Sequence, residues 1–209
     1  MKLKHNISRI EAFSDAVFAV AATLMVVSFD MNDNSILHES NATSFITFGI
    51  SFFVLIGFWW VHYNFFRRTD YMDNWIIALN ALLLFVTIYY VFPLKSLINS
   101  WFGNEILNIE GFVLLFELYS LGFALIFTCF SLMYYRAYKK TRQLENSIEL
   151  LFYSRHFGLY VFIAVTSMLL AKFQIGLRYA LPGLIYSLLG PLCYFHGVTF
   201  RRKFKTIDE

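Results

Sequence analysis

The chain has 209 residues, of which 58% are hydrophobic, 20% aromatic and only 15% charged. A soluble domain carries roughly 25% charged residues to solvate its surface, so this composition excludes a water-facing globule, a disordered tail and a disulfide scaffold. The net charge of +3 is too small to call for a polyanion, and no nucleic-acid partner is expected.

A helix that crosses a bilayer needs about 20 apolar residues at 1.5 Å rise each. Six such runs follow one another: Ile10–Phe29, Phe45–Asn64, Trp75–Leu97, Phe112–Tyr135, Phe157–Phe173 and Tyr179–Phe200. The first opens with Arg9, Glu11 and Asp15. Ala19-Val20-Ala21 resembles a signal-peptide cleavage site, but Glu11 and Asp15 interrupt what would be the apolar core, so the span reads as retained. The second span carries His62 near its end and the third carries Asn80 near its start. Glu117 lies in the fourth, the fifth is the shortest, and Gly190-Pro191 predicts a kink in the sixth. Cys129 and Cys193 sit inside apolar runs and read as small buried hydrophobes. The connectors are short, the longest charged run being Lys139–Glu149, a solvated loop or helix extension. The expected fold is therefore an all-α integral membrane protein, one domain over residues 1–209 with six transmembrane helices.

Orientation follows from the cations, which favour the cytoplasmic side. With six spans, both termini share a side with the second–third and fourth–fifth connectors. Of 17 Lys and Arg, only Lys95, Lys172 and Arg178 fall on the opposite side. Both termini are thus expected to be cytoplasmic.

Ser8 and Glu11 have the spacing of a capping box, which accounts for Glu11 without further function. Asp15 is different. It lies about 9 Å along the helix axis from Arg9, where an ionisable group must be paired or face water. The orientation places Asp15, His62 and Asn80 at one depth, which predicts an interhelical hydrogen-bond cluster, with a proton relay through Asp15 and His62 as the sharper alternative.

Arg9, Phe13, Ser14 and Asp15 spell R-x-x-x-F-S-D, Trp59, His62 and Phe66 spell W-x-x-H-x-x-x-F, and Asn80 is followed by an apolar run and Pro93. In this order the three patterns resemble the lysosomal transmembrane protein 175 potassium channels and their prokaryotic relatives. The resemblance implies a potassium-permeable channel whose pore is lined by the first helix. It also implies a homotetramer of six-helix subunits. The sequence has no T-V-G-Y-G-like filter segment.

Counted from the motif aspartate, the resemblance places the narrow point at Val20. Leu24 and Val27 follow at i+4 and i+7 on one helical stripe. Four copies would form a hydrophobic constriction that gates by dewetting. Thr23 is the one polar ring candidate and the expected source of any selectivity, although its hydroxyl can equally bond a helix carbonyl. Asp30 and Asp33 would form an acidic outer vestibule, or be ordinary solvated loop acids. K⁺ is the expected permeant ion, membrane lipid the surrounding partner, and the bacterial inner membrane the expected location. No cofactor is expected.

A secondary ion- or proton-coupled transporter using Asp15 and His62 is the alternative; Glu117 and the Gly190-Pro191 kink would serve it. A membrane enzyme has less support. The five histidines, His5, His38, His62, His156 and His196, form no H-E-x-x-H and share no i, i+4 spacing, so no metal site is expected. Asn41-Ala42-Thr43 fits a glycosylation acceptor, a pattern short enough to arise by chance.

Overall fold

The computed structural model describes residues 6–27, 39–101, 108–143 and 147–205. Five long helices form from the apolar runs: α1 (Ile7–Val27), α2 (Glu39–Arg68), α3 (Asn74–Trp101), α4 (Ile109–Lys140) and α5 (Ser147–Lys172). The last run is segmented into a short α6 (Leu181–Leu184), a 3-10 turn (Ile185–Leu188) and α7 (Leu189–Lys205). Six segments are long and apolar enough to cross a membrane, and no strand occurs among the described residues. The protein is an all-helical integral membrane protein.

Local chemistry starts and stops these helices. Asn6 Oδ1 accepts from Arg9 N at 3.3 Å and caps α1, so Asn6 takes the role expected of Ser8. Asp73 Oδ1 accepts from Ile76 N at 3.0 Å at the head of α3. Asn108 Oδ1 accepts from Gly111 N at 2.8 Å at the head of α4, and Lys139 and Lys140 in its last turn meet the negative end of the helix dipole.

The helices outrun the apolar stretches that announced them. The fourth continues to Lys140 rather than Tyr135, and the fifth begins at Ser147 rather than Phe157. The charged segment Lys139–Glu149 is thus partly helix extension at both ends. In the sixth span the irregularity lies just before Gly190-Pro191. Pro191 offers no N–H and its ring crowds the carbonyl four residues earlier, and the chain tightens into the 3-10 turn over Ile185–Leu188.

The helices pack in a chain of neighbours. α1 lies on α2 and α3, α3 on α4, α4 on α5, and the sixth span on α5. The core explains the aromatic content. Phe65 meets Tyr134 edge-on at 4.9 Å, Phe58 meets Tyr90 at 5.5 Å, and Phe127 lies 4.5 Å from Tyr160. Gly122 permits one close approach, because a Cβ there would stand 2.5 Å from Cδ2 of the buried Tyr90 ring.

Candidate pore-lining helix and its anchorage

α1 is apolar on most sides, so its sequence does not show which side packs. The structure does: Ser14, Phe18, Ala21 and Met25, at helical spacing, are buried against α2 and α3. The opposite stripe, through Phe13, Val20, Thr23 and Val27, faces away from the helix bundle. Val20 is 51% exposed and Val27 76%. Leu24 is half-buried and flanks the stripe. Thr23 Oγ1 donates to the Ala19 carbonyl at 2.9 Å. Its hydrogen is therefore used within the helix, and its lone pairs remain on the exposed side.

The buried side carries a short chain of hydrogen bonds. Ser14 Oγ donates to the Ile10 carbonyl at 2.8 Å and accepts from Asn80 Nδ2 at 2.9 Å. Asn80 Oδ1 lies 2.8 Å from His62 Nε2; an amide oxygen only accepts, so Nε2 carries the hydrogen. The three side chains are buried and tie α1, α3 and α2 together. Asp15 stands beside this chain and is not bonded to His62. Its Oδ1 accepts from Trp59 Nε1 at 2.9 Å. Phe18 and Phe66 pack their rings against His62 at 5.3 and 4.9 Å.

The motif thus divides by direction. Ser14 and Asp15 face into the bundle; Arg9 and Phe13 face out, with Phe13 63% exposed. Among the described residues the Arg9 guanidinium makes no ion pair. Asp30 and Asp33 lie outside the described residues.

A belt of ion pairs closes the same end of the bundle. Arg67 donates to Glu11 at 2.7 Å, so Glu11 joins α1 to α2 instead of completing a capping box. Arg68 donates to Glu149 at 3.0 Å and to the Tyr153 hydroxyl at 2.9 Å, with its guanidinium 4.0 Å over the Tyr153 ring. Arg136 donates to Asp73 at 2.9 Å, joining α4 to the head of α3. Burial pushes the Asp73 carboxyl up, but the Ile76 amide, Arg136 and the Tyr71 hydroxyl together hold it below its ordinary value of 3.8. Burial and the neighbouring Asp73 raise the Tyr71 hydroxyl. None of these pairs stands in a motif; the only signal in the sequence was opposite charge at one depth. Among the described residues, no group of His, Cys, Asp and Glu could hold a metal.

A family profile described as "Endosomal/lysosomal potassium channel TMEM175" matches residues 9–90, the stretch that carries α1, α2 and the linked part of α3. A relative named "Potassium channel" from Marivirga tractuosa is 38% identical over 159 residues, covering 68% of this chain and 64% of its own length. The crystal structure of a variant of the potassium channel MtTMEM175, in complex with a nanobody–MBP fusion protein, superposes with a TM-score of 0.70 at 29% identity over 93% of both chains. The chain belongs to the TMEM175 family. A second curated relative, "Potassium channel Cha6605_3372" from Chamaesiphon minutus, is 31% identical over 41% of this chain and 46% of its own length. The chain therefore spans less than two thirds of either curated relative. A crystal structure of a lysosomal potassium-selective channel TMEM175 homolog from the same organism has a TM-score of 0.63, covers 93% of this chain and 97% of its own, and at 20% identity speaks for the TMEM175 fold alone.

Proposed function

We propose that this TMEM175-family chain is one subunit of a homotetrameric, potassium-permeable cation channel in a bacterial inner membrane, with α1 lining the pore and both termini cytoplasmic. The observation that carries the reading is the two-sidedness of α1. One face is bonded and packed into its own subunit, and the other leaves Val20, Thr23 and Val27 without cover from it. Around a four-fold axis, rings of Val20 and Val27, flanked by Leu24, form an apolar constriction. There an ion would have to shed water with no oxygen to replace it. Thr23 supplies the polar ring, its free lone pairs offering partial coordination and hence a bias toward K⁺. Asp30 and Asp33, following the pore helix in sequence, concentrate cations at the outer mouth, an effect that shrinks as salt rises.

The names of the relatives support a channel over a transporter, and so does the pairing of Asp15 with Trp59, which takes from the relay its direct Asp15–His62 link. The test is K⁺ flux through protein reconstituted in liposomes without ATP, read as discrete current steps in planar bilayers. Thr23→Ala is expected to lower the K⁺/Na⁺ permeability ratio seen in the bi-ionic reversal potential. Slow uptake without current steps would overturn the channel reading.

A further inference from the structure

A groove of about 560 Å³ lies between α5 and α7, away from the α1 face. Its walls change character along the helix axis. Phe152, Val198 and the backbone of Gly197 make the deeper part apolar, while Arg201 and Arg202 line the end where the last span terminates. Tyr194, Gly197 or Val198, and Arg201 follow one another at i, i+3 or i+4, and i+7, so a single stripe of α7 runs from apolar to cationic. Both arginines are exposed. A Cβ on Gly197 would meet nothing within 4 Å, so the glycine opens onto the groove and is not fitted against a neighbour.

One level deeper are polar atoms without partners. Nδ1 of His156, which lines the groove, and both ring nitrogens of His196 are buried and unbonded. The His196 ring is held by stacking on Phe152, with centroids 5.0 Å apart. From Arg201 to His196 is about 7.5 Å along a helix, with Val198 between them, so these nitrogens lie below the first apolar turn of the groove. Cations at the membrane surface with an apolar wall below them, from Val198 and Phe152 to Tyr194, match, in order, a phosphate and an acyl chain.

We propose that this groove binds an anionic phospholipid, its headgroup phosphate on Arg201 and Arg202 and an acyl chain running inward along Val198, Phe152 and Tyr194. Basic pockets between membrane helices take such headgroups because each cation near the surface adds to the attraction. The inference rests on the membrane-spanning fold and not on the channel reading, so the two can fail separately.

The test is native mass spectrometry of the full-length protein in detergent with added dioleoylphosphatidylglycerol or dioleoylphosphatidylcholine, and thermal melting with inorganic phosphate alone. Wild type is expected to retain the phosphatidylglycerol about tenfold or more over the phosphatidylcholine. Arg201→Ala/Arg202→Ala should bring the two lipids level. Gly197→Leu, which fills the groove without striking a neighbour, should lose both, with melting in lipid-free detergent reporting that each variant is folded. Equal retention of the two lipids by wild type would overturn the proposal. So would lipid retention unchanged in both variants, or stabilisation by inorganic phosphate equal to that by the lipid.

Discussion

At the scale of single residues, Asn80 carries the most. Its amide bonds two other helices at once, donating to Ser14 and accepting from His62. Asn80→Ala leaves His62 Nε2 buried without a partner and cuts the tie from Ser14 to α3, and is expected to destabilise the fold by about 1–2 kcal/mol. Thermal melting in detergent reads this; a loss no greater than that of Ser14→Ala would show that the His62 bond adds nothing. Asp73 makes a pH-dependent contribution. Its carboxyl is held below 3.8 in the folded chain, so the stability it adds is fully present above that value and lost as pH falls through the lower, folded pKa. Wild type should therefore lose more stability than Asp73→Asn on acidification through and below pH 3.8, and parallel melting curves in that window would remove Asp73 from the belt. Part of this was legible in the sequence. Ser14, Asp15, Trp59, His62 and Asn80 stood in motifs. Their pairing did not, because which hydroxyl meets which amide depends on helix rotation, and a helix apolar on most sides does not announce its rotation.

Among the elements, the spans were legible and their ends were not. Twenty apolar residues in a row can only be a span, but helices persist into the interface, where Arg67, Arg68, Lys139 and Lys140 continue the hydrogen-bond ladder and hydropathy no longer marks it. The same limit hid the ion pairs, which form on those extensions. α4 crosses α3 closely at Gly122. Gly122→Ala places a Cβ 2.5 Å from the Tyr90 ring, which is 1% exposed and has little room to give. The expected cost is about 1–3 kcal/mol, read by melting. Tyr90→Leu in the same chain should recover part of it, and strictly additive losses would mean that the two residues do not meet.

At the scale of the whole molecule, the outward face of α1 is the feature that a single subunit leaves unexplained. Phe13 is 63% exposed at the head of that face, and in a tetramer it would meet a neighbouring subunit. Phe13→Ala is expected to shift the assembly toward smaller species in native mass spectrometry while leaving the helix content of the subunit unchanged. A variant that assembles as well as wild type would put the inter-subunit contact elsewhere on the helix.

The anchorage of α1 has a mechanical consequence. The ion pair to Arg67 and the hydrogen bonds to Asn80 and Trp59 leave the helix from Glu11, Ser14 and Asp15, in its N-terminal half. Beyond them, Phe18 and Ala21 are held by apolar burial. Such burial resists separation but directs no particular angle. The helix is in effect a cantilever, clamped at its charged end. A small tilt at the clamp sweeps Val27 through a wider arc than Val20, so the bore of the proposed pore would change most at the far tip and least near the root.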